Sequence, residues 1–280
     1  MNYRHAYHAG NLGDVLKHIA VARIVRYLQK KPAAIRIIDT HAGIGLYDLT
    51  GDEAMRTGEA ERGVSRILAA DPPADVAELI APWREIVEAE NPDGTLRRYP
   101  GSPWLVRRLL RPQDRLTAVE LHPADAETLK ALFFGDVQVR TVELDGWLAL
   151  KAFVPPKERR GLVLVDSAFE VPGELERLGR RLVQAWRKWP TGVYCGWYPV
   201  KAGTESEEIG AVLAAAGMAE HLVVELTVQR PDPDGPMAGC GLAIINPPFT
   251  LAGELEPVVA WLARTLAQAP GGGFRVTHHA

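Results

Sequence analysis

At 280 residues, 47% hydrophobic and 24% charged, the chain has the composition of a folded globule, enough for one large α/β domain or one domain with an inserted lobe. A net charge of −3 excludes a global basic field. Contact with nucleic acid would need local patches such as Arg97-Arg98, Arg107-Arg108-Arg111 or Arg159-Arg160, arginine clusters that otherwise read as solvated surface. Cys195 and Cys240 stand alone in apolar runs and offer neither metal spacing nor a disulfide framework. No apolar stretch follows the charged start, and none approaches the ~20 residues that span a bilayer. A cytoplasmic protein without metal or membrane attachment is expected.

In chain order, the spacing of Leu16, Ala20, Ile24, Tyr27 and Leu28 predicts a helix over Asp14–Gln29. Val15, Ile19, Val21 and Val25 fall outside that stripe, so the helix should be covered on more than one side. A strand follows at Ala34–Asp39. Residues 46–100 are polar and helix-rich, with helices at Glu59–Ala70 and Asp75–Glu90 and a turn at Asn91-Pro92-Asp93-Gly94. They read as an inserted helical subdomain, leaving 1–45 and 101–280 as the core. Short apolar runs then predict strands at Leu116–Leu121, Val137–Leu144, Gly161–Asp166, Gly192–Tyr198, His221–Val228 and Gly241–Asn246. The last two flank the Pro-, Asp- and Gly-rich Gln229–Gly239 and suit a hairpin. The Gly271-Gly272-Gly273 tail should fray, its histidines included.

Acidic residues end successive strands. Ile37-Ile38-Asp39 runs into Thr40-His41-Ala42-Gly43-Ile44-Gly45, where glycines permit turns and close backbone approach. Glu120 is placed to accept both hydroxyls of a ribose, although it lies much further from the glycines than the ~20 residues of dinucleotide sites. Asp145 can accept from the amino group of an adenine. Each carboxylate could be a helix N-cap, but three strand ends in sequence point to a nucleoside cofactor. No phosphate-binding loop occurs, which favours a phosphate-free group such as S-adenosylmethionine. The next strand ends in Asp166-Ser167-Ala168-Phe169, at the place where amino-methyltransferases accept the hydrogens of an exocyclic nitrogen and stack an aromatic on the base.

Here the chain resembles the ribosomal RNA large subunit methyltransferase J family, adenine-N6 methyltransferases of 23S rRNA. The resembling segments include Tyr3-Arg4-His5-Ala6-Tyr7-His8-Ala9-Gly10-Asn11, Asp14-Val15-Leu16-Lys17-His18, Asp39-Thr40-His41-Ala42-Gly43, Tyr99-Pro100-Gly101-Ser102-Pro103, Glu120-Leu121-His122-Pro123, Trp197-Tyr198-Pro199-Val200 and Ile245-Asn246-Pro247-Pro248. They span nearly the whole length. The resemblance implies a class I S-adenosylmethionine-dependent methyltransferase fold, α/β and Rossmann-like, with a mostly parallel seven-stranded sheet and a helical insertion. It implies that His18, His41, Ser102, Glu120, Asp145, Gly146 and Asp166 contact the cofactor. Asp166 would be catalytic with Phe169 stacking the base, and Tyr3 and Arg4 would touch RNA. The aromatic and basic opening segment suits that last role, or is simply an arm pinned by its aromatics. His5, His8 and His18 lack the partners of a zinc set. A monomer is expected.

The family pattern at the reaction centre is Asp-Pro-Pro-Tyr, so Ser167 and Ala168 remove two rigid residues while Asp166 and an aromatic remain. Asn246-Pro247-Pro248-Phe249 matches an amino-methyltransferase pattern by letters, but it follows the last expected strand and should lie beyond the catalytic edge. Methylation of DNA adenine, or a homologue that binds cofactor and RNA without transferring a methyl group, are the competing readings.

Overall fold

The computed structural model describes residues 4–218 and 220–279. Its main sheet contains β1 (Ile35–Asp39), β4 (Arg115–Glu120), β5 (Val139–Glu143), β6 (Arg160–Val165), β7 (Val193–Val200), β8 (His221–Thr227), β9 (Gly239–Ile245) and β10 (Gly273–His279). Their order is β10-β8-β9-β7-β6-β1-β4-β5. The five strands from β5 to β7 are mutually parallel, whereas β9 runs antiparallel to both β7 and β8. After β1 the chain extends the sheet first through β4 and β5, then on the other side through β6 and β7. The order therefore reverses between β1 and β6, which opens a crevice at the carboxyl ends of these strands.

Alternation builds the two layers. Leu162 and Leu164 of β6 pack into one core, while Val163 and Val165 face the other. The first core holds α1 (Leu12–Gln29), α4 (Ala74–Ala89), α5 (Ser102–Leu109) and α10 (Leu251–Leu266). The second holds α7 (Gly146–Ala152), α8 (Glu174–Lys188) and α9 (Glu205–Ala215). α1 is capped by Asn11, whose side chain accepts from Asp14 N at 2.9 Å. It is buried around most of its circumference, as its apolar surplus requires.

Residues 46–100 interrupt the turn that would join β1 to its covering helix. Their ends pair as a two-stranded antiparallel ribbon, β2 (Leu46–Asp48) on β3 (Arg98–Pro100), with Tyr47 opposite Tyr99. The ribbon returns the chain to the crevice, where Gly101 N donates to Gly45 O at 2.8 Å and α5 begins. Between the two strands lie α2 (Asp52–Thr57), a π-type turn over Glu61–Ser65, α3 (Arg66–Ala69) and α4. Val76, Ile80 and Trp83 of α4 are buried in the same cluster as Leu16 and Ile24 of α1, so the segment shares the main core.

Two expectations need correction. Among the described residues the sheet has eight strands rather than seven, and the C-terminal segment is not frayed through its length, because Gly273–His279 pairs antiparallel with all of β8. The free edge of β8 offers a row of amides and carbonyls, and the extended Phe274-Arg275-Val276-Thr277 satisfies them. Among the described residues no helix is long and apolar enough to cross a membrane.

Candidate active site

A hollow sits in the crevice, lined from the ends of β5, β4, β1 and β6, the start of α5, and α7 and α8. Parallel registry brings the strand ends together: Asp39 is level with Ala118 of β4 and with Leu164 of β6, and Glu120 with Glu143 of β5. Beyond β1, Gly43 and Gly45 take φ of 60° and 86°, a left-handed turn that a side chain would strain. Gly43 N donates to Glu120 Oε2 at 2.8 Å, and His122 N donates to Oε1 at 2.8 Å. Each oxygen of Glu120 is thus oriented by one amide and keeps a further lone pair.

Asp145 caps α7, its Oδ1 accepting from Trp147 N at 2.7 Å and Leu148 N at 3.2 Å. Gly146 follows on the wall of the hollow. A Cβ there would lie 2.3 Å from Thr40 O and 2.6 Å from the His41 ring, so glycine is needed for α7 to approach the end of β1. His41 is half-buried, its Nδ1 2.8 Å from Thr40 Oγ1 and its ring edge-on to Trp147. Burial lowers it to about 4, which keeps it neutral. The Arg177 guanidinium lies 4.5 Å from the Trp147 ring centroid.

Ser102, at the start of α5, donates from Oγ to Asp39 Oδ2 at 2.6 Å. Asp39 is fully buried, and that burial pushes it up to about 6. His18 is also fully buried and is not on the wall. Its ring stacks on Tyr99, with Nδ1 2.9 Å from the Tyr99 hydroxyl, and burial pushes it down to about 3.

Asp166 follows β6 and faces the hollow. Lys17 Nζ donates to its Oδ2 at 2.5 Å and to Asp14 Oδ1 at 2.7 Å. Asp14 Oδ2 in turn accepts from Gly10 N at 2.9 Å and lies 2.9 Å from His5 Nε2. Burial alone would lower the Lys17 ammonium, but Asp14 and Asp166 outweigh it and hold it well above the usual lysine range. Burial would raise Asp14, yet His5, Lys17 and His18 outweigh that and hold it well below the usual carboxylate range. A cation thus stays fixed behind Asp166.

The structure therefore brings His41, Ser102, Glu120, Asp145, Gly146 and Asp166 to one hollow and sets His18 behind it. Phe169 is not on this wall; it takes a left-handed φ of 50° and its ring meets Trp197 in a neighbouring hollow. Arg4 bonds to Glu53 at 2.7 Å and to Asp125, a wall residue, at 3.2 Å. Tyr3 lies outside the described residues. Asn246 is at the far edge of the sheet. β9 ends level with the start of β7, and Asn246 Nδ2 donates to Gly192 O at 3.0 Å and Pro190 O at 3.3 Å. Sequence reasoning missed the roles of Asp14, Lys17 and Arg177. For the first two a signal existed: a charge pair three residues apart on a helix apolar all round. Among the described residues no three His, Cys, Asp or Glu side chains group as metal ligands.

Comparison with known proteins identifies the family. A family model described as "Ribosomal RNA large subunit methyltransferase D, RlmJ" matches residues 32–279. Two proteins named "Ribosomal RNA large subunit methyltransferase J", from Escherichia coli (strain K12) and Haemophilus influenzae, are each 38% identical to the chain, over 99% of it and 98% of their own length. The crystal structure of protein LPL1258 from Legionella pneumophila superposes with a TM-score of 0.87 at 32% identity, covering 98% of this chain and 99% of that one.

Proposed function

The chain belongs to the ribosomal RNA large subunit methyltransferase J family, and we propose that it transfers a methyl group from S-adenosylmethionine to N6 of an adenine in 23S rRNA. The observation that carries this reading is the convergence of Glu120, Asp145 and Asp166, from three different strand ends, on one hollow.

The donor set fits the cofactor. Glu120 has one lone pair left on each oxygen, which suits the two adjacent hydroxyls of a ribose. Asp145 Oδ2 is free of the capping bonds and can accept from an adenine amino group. The first turn of α5, at Ser102, suits the carboxylate of an amino-acid tail. Glu120, Asp125, Asp145, Asp166, Glu170 and Glu174 outnumber Lys17 and Arg177 around the hollow, an environment that favours a sulfonium and disfavours a pyrophosphate. His41 and Gly146 shape the wall, and His18 supports it from behind through Tyr99. When bound, S-adenosylmethionine supplies an electrophilic methyl group.

The amino nitrogen of adenine is a poor nucleophile because its lone pair is delocalised into the ring. Asp166 accepts one N6 hydrogen and the backbone carbonyl of Ser167 the other, so the lone pair turns toward the methyl carbon. Methylation would leave positive charge on the nitrogen, and solvent would take the surplus proton. Asp166 stabilises that charge until the proton leaves. Lys17 holds the carboxylate in place and keeps Oδ1 available. Phe169, expected to face the target base, instead turns its ring to Trp197 in the neighbouring hollow, and Arg4, bonded to the wall residue Asp125, meets RNA. One chain supplies every group named, so a monomer suffices, and a ribosomal RNA substrate places the work in the cytoplasm.

The test is transfer of labelled methyl from S-adenosylmethionine to undermodified 23S rRNA, with DNA of the same sequence in competition. Transfer to RNA that disappears in Asp166→Ala supports the reading. A rate equal to that of Asp166→Ala, or transfer to DNA alone, overturns it.

A further inference from the structure

The same edge of the sheet carries a second hollow, beside the ends of β7 and β8 and the start of β9. Ala168 lines both hollows, so the loop that follows Asp166 divides them. Within the second, Phe169 and Trp197 meet edge to face, their centroids 5.9 Å apart and their planes at 77°. Two features hold that aromatic pair. Phe169 keeps a left-handed φ of 50°, which a bulky residue adopts only where its surroundings impose it. Gly13 of α1 leaves room for the indole, since a Cβ there would sit 3.0 Å from Trp197 Nε1. Arg62 and Lys201 stand exposed on the walls. The acidic residue there, Glu59, is already engaged by His8 Nδ1 at 2.9 Å and Asn11 Nδ2 at 3.0 Å.

We propose that this hollow binds the nucleotide adjoining the target adenine, its base stacked on Trp197 against the edge-on Phe169 and its phosphate met by Arg62 and Lys201. The assignment rests on the adenine-N6 reading for the position of the target at Asp166. A base held there leaves its chain neighbour one backbone step away, across the Ala168 loop. Aromatic faces accept any base, and the flanking cations neutralise backbone charge, so the subsite adds affinity without reading sequence.

The experiment uses the whole protein and a short single-stranded RNA containing one adenine, with binding measured separately from methyl transfer. Trp197→Leu should weaken RNA binding about ten- to a hundredfold while the dissociation constant for S-adenosylmethionine stays the same. The double variant Arg62→Glu with Lys201→Glu changes only exposed positions and so remains folded. It should weaken RNA binding and flatten the dependence of log Kd on log salt by about 0.7, the share of one single-strand phosphate contact. RNA affinity and salt slope unchanged in the double variant overturn the subsite. Wild-type protein that binds the RNA yet transfers no methyl group overturns the reaction instead, and one that binds no RNA overturns both.

Discussion

Lys17 and Asp166 are 149 residues apart in the chain, yet Lys17 Nζ lies 2.5 Å from Asp166 Oδ2. The contact joins the first helix to the fourth parallel strand at the point where the reaction is assigned. With Asp14 on its other side, the ammonium is locked by two carboxylates and has little freedom to leave.

Lys17→Met should therefore cost both stability and rate. Removing one member of a buried ion pair strands the rest, typically at about 3–5 kcal/mol. A reorientation of Asp166 by ~1 Å should slow methyl transfer about 100-fold. Adding Asp14→Asn should restore part of the stability but not the rate. Denaturant titration and initial rates on the same three proteins check this; a Lys17→Met protein with wild-type turnover contradicts it.

Glu120→Gln should weaken S-adenosylmethionine binding on the order of 10–100-fold. The substituted amide must point its donors at Gly43 N or His122 N, both donors themselves, and leave one of them unsatisfied. Titration calorimetry reads the change directly.

Below pH 6.5 the fold should lose stability. His41 and His18 are held down, by burial, to about 4 and about 3, so the unfolded chain takes up protons near pH 6.5 that the folded chain refuses. Their stabilisation is complete above pH 6.5 and is lost as the pH falls toward 4 and 3. Asp39 opposes this: raised to about 6, it binds a proton in the folded state first and regains stability between pH 6 and its ordinary 3.8. His8, raised mainly by its bond to Glu59, has completed its gain by pH 6.5. Glu225, raised by burial, acts with Asp39, while Asp14, Glu59 and Asp114, held below the usual carboxylate range by their partners, lose stability with the histidines, so acidification leaves a net loss. Melting temperatures from pH 7.5 to 4 should fall, and more steeply in Asp39→Asn.

Asn246→Ala should leave methyl transfer intact and cost about 1–3 kcal/mol of stability. Its two carbonyl partners lie at the edge of the sheet opposite Asp166, and alanine tolerates φ of 53° less well than asparagine. Turnover lost in Asn246→Ala but kept in Asp166→Ala would reverse the assignment.

The carboxylates at the strand ends were legible because parallel strands buried on both faces read as unbroken apolar runs, and their ends must share one edge. Glu120 and Asp166 needed only that rule, whereas Asp145 follows the partly exposed edge strand β5 and was read from the series of acidic strand ends. The link from Lys17 to Asp166 needed a distance in space that no local pattern encodes. Phe169 was placed by its neighbours in the motif, but its left-handed backbone turns the ring into the second hollow. The β2–β3 ribbon escaped notice because three residues per strand are too few to show a two-residue period. β10 was hidden by the glycines before it, which suggest slack chain while in fact making the turn onto β8.

That last strand separates two kinds of damage. In the order β10-β8-β9-β7-β6, the outermost member stands four places from the strand bearing Asp166. Trimming residues 273–279 would leave the catalytic groups where they are and bare seven residues of ladder on β8, a template for another molecule's backbone. The harm would first register as precipitation in the tube, with the protein left in solution still competent.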